Sequence, residues 1–244
     1  MRSLSAVAIV FAVGALAQQG AEFRPFTAEM RVVHAQGPGE GPLVQEAFYA
    51  RRGDGSYVLH QQLTNPDGEQ GTLVNIFDMR SNRSITLYPS LHASLTFYYS
   101  EGAMREQSWR GLSTCRSMEM LGVLGDATER VTAQLNGREA LRALAEDPKD
   151  GQRTEWWVAE ELDCLPLRKS ITGGRGVPQQ MTVTRLTEGE PAESLFAIPP
   201  EYVEMSPVEI EAAYQARYPG VELHGQKQLD LMQGRYEESL LRKP

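Results

Sequence analysis

Between Phe23 and Tyr99 the apolar residues return at every second position, and turn chemistry cuts the runs into short lengths. Successive side chains of an extended strand point to opposite faces, so this period marks half-buried strands and not helices. Phe26, Ala28, Met30 and Val32 point one way, and Thr27, Glu29 and Arg31 the other. The Gly-Pro-Gly-Glu-Gly-Pro run at 37–42 interrupts the chain. A strand resumes over 44–51 and ends at Gly53-Asp54-Gly55, a tight-hairpin signal. The next, over 56–64, sets Tyr57, Leu59 and Leu63 on one face and stops at Asn65-Pro66-Asp67-Gly68. Further strands are predicted over 72–79, 85–88 and 93–99, with a polar turn at 80–83. Strands joined by such turns form an antiparallel meander.

The middle of the chain is less periodic. Residues 101–110 read as a short helix with a ragged apolar face at Met104 and Trp109, and 127–135 as a strand. Residues 138–146 have high helix propensity and apolar residues at 140, 141 and 144, yet a charged stretch of this kind also forms strand edges, so both states stay open. Alternation returns over 153–159, 165–172 and 179–186, with a glycine-rich turn at 173–176. Pro199-Pro200 ends the sheet region, and 207–217 reads as a helix with Ser206 as its N-cap and Pro207 at its first position. The charged segment 226–241 is a peripheral helix or a loosely held tail.

The first 17 residues, MRSLSAVAIVFAVGALA, read as a cleavable export signal: one positive charge, an apolar run, then a small-x-small site before Gln18. The run is too short to cross a bilayer. Gln18 at the cut is not the cysteine that lipid anchoring uses, so the expected product is periplasmic or secreted, with no integral membrane segment. The expected organisation is thus a signal peptide at 1–17, a β domain at 18–205, and a C-terminal helix with a charged tail at 206–244. With 32 acidic against 24 basic residues, the chain carries −8, which argues against nucleic acid as a partner because phosphate binding needs clustered cations. The pairs Arg51-Arg52 and Arg168-Lys169 read as solvated faces.

Cys115 and Cys164 are the two cysteines. In an oxidising compartment they most simply form one disulfide, a metal pair or a reactive thiol being the alternatives. Neither lies in a C-x-x-C spacing or near a histidine. Closing a loop of about 50 residues restricts the unfolded chain by on the order of 4 kcal/mol.

The sequence offers no constellation for catalysis. His34, His60, His92 and His224 lack metal-ligand spacing, and His60 reads as a sheet-surface residue. Gly111-Leu112-Ser113-Thr114-Cys115 lacks the second glycine of a nucleophile elbow, and no phosphate-binding glycine loop opens a helix. Glu160, Glu161 and Asp163 read as solvated turn residues. No cofactor or metal is expected. Aromatic residues carry the one suggestive signal. Phe97, Tyr98 and Tyr99 are consecutive in a strand, as are Trp156 and Trp157, and each group puts bulk on both faces. Either the concave face lines a pocket or a helix covers the outer face.

From Trp156 onward the order of features resembles the LolA-like group of exported bacterial proteins, the lipoprotein carriers and lipoprotein-sorting relatives. The matching phrases are Trp157-Val158-Ala159, Leu165-Pro166-Leu167, and Phe196-Ala197-Ile198-Pro199 followed by Tyr202. The resemblance implies a mainly β chain with peripheral helices: a curved antiparallel sheet forming an unclosed LolA-like β-barrel, helices plugging its concave side. It further implies a binding or carrier protein for a lipid or a lipoprotein acyl chain. Phe97, Tyr99, Trp156 and Trp157 are the candidate cavity-lining residues. An envelope interaction module using a sheet edge or the C-terminal tail is the alternative, and a hydrolase with no recognisable motif is third.

Overall fold

The computed structural model describes residues 23–36, 41–104, 115–120, 124, 127, 129–147, 149–174 and 178–244. The export signal expected at 1–17 lies outside these residues, as do 37–40 of the Gly-Pro run. Among the described residues one 12-stranded sheet dominates. Its first meander is β1 (Phe26–His34), β2 (Leu43–Arg51), β3 (Tyr57–Thr64), β4 (Gln70–Asp78), β5 (Arg83–Tyr88) and β6 (Ala93–Tyr98). The second is β7 (Glu129–Leu135), β8 (Arg138–Glu146), β9 (Arg153–Ala159), β10 (Leu165–Thr172) and β11 (Gln179–Glu188).

The two meanders join where β1 pairs antiparallel with β11, Phe26 opposite Glu188 and His34 opposite Gln179. The short β12 (Val203–Glu204) adds parallel to β6, so the strand order is β12-β6-β5-β4-β3-β2-β1-β11-β10-β9-β8-β7. β12 and β7 stand at opposite ends, and the sheet is unclosed. This is the mainly β architecture that the alternation predicts.

Turn chemistry fixes the registers. Gly55 adopts φ +87° between β2 and β3, and a Cβ there would lie 2.7 Å from the Phe23 ring. Only glycine accepts both the conformation and the contact. Residues 138–146, open between helix and strand, form β8, paired with β7 on one side and β9 on the other. Both of its faces are used, Ala140 on one and Leu141 with Ala143 on the other, so its apolar residues do not alternate as they do in a strand with one wet face. Of the helix expected over 101–110, residues 101–104 are helical and the rest lie outside the described residues.

Besides the helical turn at 101–104, the described residues hold three α-helices that flank the sheet: α1 (Cys115–Met120), α2 (Pro207–Arg217) and α3 (Gln226–Leu240). Ser206 caps α2 as expected, its Oγ accepting from the Glu209 N–H at 3.3 Å while the Glu209 carboxylate accepts from the Ser206 N–H at 2.7 Å. The charged segment after it is α3, which lies against β6 through Phe97 and Tyr236 with ring centroids 6.1 Å apart. None of the described helices is long and apolar enough to cross a membrane.

Among the described residues the apolar side chains form three clusters. On one face a stripe runs through Phe77, Tyr57, Tyr49, Phe26, Ala28, Leu165, Leu167, Ala159 and Ala140, crossing from β4 to β8. On the opposite face Ala50, Val58, Ile76 and Ile85 are covered by Phe196, Leu195, Ile198 and Tyr202. Further along that face Ala143, Val158 and Trp156 pack with α1 around the disulfide that joins Cys115 to Cys164.

Candidate functional site

The stripe is built from rings. Phe26 meets Tyr49 edge-on at 5.2 Å, Tyr49 meets Tyr57 at 6.1 Å, and Tyr57 stacks on Phe77 at 4.4 Å. Burial pushes the Tyr49 and Tyr57 hydroxyls well above the ordinary tyrosine pKa, so both stay neutral. Arg51 ends β2 on the same face and is only 1% exposed. Its guanidinium lies 4.9 Å from the Phe26 ring centroid and 5.2 Å from that of Phe23. It donates to Leu162 O at 2.9 Å, Arg24 O at 3.3 Å and Asp163 Oδ2 at 3.3 Å. Asp163 sits at φ +58° beside Cys164 at φ +60°, so Arg51 ties the stripe to the corner that carries the disulfide.

The paired cations are therefore not the solvated faces that their sequence suggests. Arg52 is 3% exposed, with its guanidinium 3.7 Å from the Phe196 ring centroid and paired with Glu193. Lys169 is half-buried, its Nζ 4.4 Å from the Trp156 ring centroid, and burial lowers its pKa. Nor is the acidic group at 160–163 simply solvated: Asp163 pairs with Arg51, and Glu161 with Arg138 at 2.6 Å. Burial raises the Asp163 pKa against the opposing pull of Arg51.

Where the stripe reaches β7 and β11 the surface opens into a recess of about 240 Å3. Leu135, Leu167, Val183 and Leu186 supply its apolar lining, and all four pack on the stripe. Arg138 and Arg185 stand among its polar lining. Arg138 is held by Glu161 and Glu188, each at 2.6 Å, whereas Arg185 is exposed and 3.6 Å from Glu29. A register shift between Glu29 and Met30 brings Val183, and not Thr184, opposite Met30, which keeps Val183 on the stripe. The recess is thus a half-open surface depression of mixed lining, with four apolar side chains on one side and Asn136, Arg138, Thr184 and Arg185 on the other.

The four aromatic candidates fall in separate surroundings. Trp157 packs on the stripe, its Nε1 donating to Glu155 Oε1 at 2.7 Å. Trp156 belongs to the disulfide cluster on the opposite face. Phe97 packs on Tyr236, and the Tyr99 hydroxyl lies 3.1 Å from Ser84 Oγ. β6 and β9 stand near opposite ends of the strand order, so the two pairs are not neighbours in the sheet. His60 is half-buried beside Phe48 at 5.2 Å, and burial lowers its pKa. The described residues contain no group of three or more His, Cys, Asp or Glu side chains placed to hold a metal.

Nothing in the sequence marks Leu135, Leu167, Val183 and Leu186, because each is an ordinary inward residue of its strand. Their convergence comes from the order in which β7, β10 and β11 enter the sheet.

No protein-family model matches this chain, and no curated protein matches it. Solved structures resemble it at low identity. A chain of the Pseudomonas aeruginosa MucA/MucB complex superposes with a TM-score of 0.43 and 16% identity, over 75% of this chain and 58% of that one. LprF from Mycobacterium bovis gives 0.34 and 13%, over 73% and 90%. A LolA superfamily protein from Nitrosomonas europaea gives 0.30 and 10%, over 71% and 90%. This chain therefore spans less than two thirds of the first of these. The fold class rests on the 12-stranded unclosed sheet.

Proposed function

We propose that the protein is an exported, soluble binding or carrier protein for a hydrophobic ligand, a lipid or an acyl chain, which enters the recess at the end of the stripe. The observation that carries this reading is the convergence of Leu135, Leu167, Val183 and Leu186 on one slot with Arg138 and Arg185 beside it. Each methylene buried there contributes about 0.8 kcal/mol, so affinity needs no catalytic group. The slot's volume of about 240 Å3 lies below the roughly 300–1,000 Å3 of pockets for drug-sized ligands. It suits one segment of chain and leaves a polar end at the rim, beside Arg138 and Arg185 and the carboxylates paired with them. Of the four aromatic candidates, Trp157 is the one whose ring shares the stripe with the slot. The disulfide supports export, since such bonds persist in oxidising compartments.

Titration with cis-parinaric acid tests the proposal. Saturable fluorescence enhancement is expected, abolished by Val183→Arg and unchanged by Val208→Arg on α2. A protein that takes up no cis-parinaric acid, or whose uptake survives Val183→Arg, would sink it. A second reading, an envelope interaction module, is favoured by the exposed Val208, Leu231, Leu240 and Leu241 of the C-terminal helical region. It predicts a specific protein partner that is lost on deletion of 218–244, with no fatty-acid uptake.

A further inference from the structure

The two ends of the sheet differ. At one end β12 is two residues long, and α2 and α3 dock beside it on β6. At the other stands β7, seven residues with neither proline nor glycine, paired among the described residues only with β8 and without a register shift. Proteins blunt such edges with bulges, prolines, a covering element or charged side chains. The charges of β7, Glu129 and Arg130, are confined to its first two positions, leaving the bulge, the proline and the cover to be accounted for. Among the described residues β7 has none of these.

The hairpin fixes which backbone groups β7 leaves free. Asn136 at φ +55° and Gly137 at φ +78° form a two-residue turn of the type that matches strand twist. The flanking pair Leu135 and Arg138 then exchanges both of its hydrogen bonds, and so by alternation do Ala133, Val131 and Glu129 with their partners in β8. Arg130, Thr132 and Gln134 turn their N–H and C=O groups outward, and all three are exposed.

We propose that β7 is a strand-addition edge that pairs antiparallel with β7 of a second copy of this chain, about a twofold axis at Thr132. That register sets Arg130 opposite Gln134, Val131 opposite Ala133 and Glu129 opposite Leu135, so no like charges meet. Val131 is 44% exposed and shares a face with Leu135, which packs on the stripe. The second copy's Ala133 covers Val131 on its open side, opposite Arg142 of β8. On the other face Gln134 pairs with Glu139 in β8, which puts Arg130 of one copy and Glu139 of the other in one cross-strand row, opposite charges with Gln134 between them. The contact is isologous and closes at two copies. It also brings the second copy alongside Leu135, a wall of the recess, although the pairing holds whatever the recess binds. One strand pair makes a small interface, so the dimer forms reversibly with concentration.

Sedimentation velocity of the full chain from about 5 μM to about 1 mM tests this. The wild type is expected to pass from monomer to dimer across that range. Thr132→Pro removes an N–H that β8 does not use, a position where an edge strand tolerates proline. The variant is expected to stay monomeric with an unchanged circular dichroism spectrum. Hydrogen exchange on the unaltered chain supplies a readout that needs no variant: the amides of Arg130, Thr132 and Gln134 gain protection with concentration, while that of Val131 is protected throughout. A monomer over the whole range, a dimer that survives Thr132→Pro, or exchange at these amides that ignores concentration overturns the proposal. So does pairing of this edge with an added extended peptide while the chain itself stays monomeric.

Discussion

At the scale of single residues, the buried cation Arg51 organises more of the molecule than any of the aromatic candidates. Three acceptors, two of them backbone carbonyls, converge on its guanidinium between the Phe23 and Phe26 rings. Arg51→Leu leaves those carbonyls without their donor and Asp163 without its partner. The expected loss is about 3 kcal/mol, near the lower bound for breaking a buried pair because Asp163 keeps solvent contact. Urea denaturation measures it. Arg31→Leu serves as the contrast, since Arg31 is exposed and only 4.0 Å from Glu46, and is expected to change stability by less than about 0.5 kcal/mol. None of this is visible in the sequence, where Arg51-Arg52 follows a strand and precedes a turn as solvated pairs do. Two of the three acceptors of Arg51, Leu162 O and Asp163 Oδ2, lie more than a hundred positions away, and no local pattern records them.

At the scale of elements, one carboxylate of α2 holds the loop that leads into α3. Glu211, 4% exposed on α2, accepts from the Leu223 and His224 N–H groups, each at 3.0 Å, and lies 3.2 Å from His224 Nδ1. Burial alone would raise its pKa, but the hydrogen bonds from Leu223, His224 and Gln215 outweigh burial and hold it below the ordinary glutamate value of 4.5. A depressed carboxylate adds stability that is complete above its unfolded pKa and is lost as pH falls through the folded value. Protection of the Leu223 and His224 amides from hydrogen exchange is therefore expected to hold at neutral pH and to fail in acid below the ordinary glutamate range. Glu211→Gln is expected to weaken the same protection at neutral pH by about 1–3 kcal/mol. The helix at 207–217 was legible because its cap and first-turn proline are adjacent in sequence. The state of 138–146 was not, because propensity favours a helix there, and pairing on both sides makes it a strand. Asn136-Gly137, a strong hairpin signal between two extended stretches, was the local clue that points to a strand.

At the scale of the whole molecule, the disulfide and the β1–β11 pairing decide how the two meanders hold together. Cys115 and Cys164 are 49 positions apart, and the bond fastens α1 to the corner that leads into β10. Restricting a loop of this size stabilises the fold by about 4 kcal/mol on the entropic model. Reduction, or Cys115→Ser with Cys164→Ser, is expected to lower the Tm by roughly 8 °C or more, with the sheet signal retained at room temperature. Differential scanning calorimetry with and without a reductant measures it. Strands, their faces and most turns could be read along the chain, because alternation and turn residues act over neighbouring positions. The closure of β1 on β11, the burial of Arg51 and the meeting of Leu135, Leu167, Val183 and Leu186 could not. Each depends on which strands become neighbours, and that is settled by packing the apolar faces of the entire sheet at once, a free energy no short stretch of sequence contains.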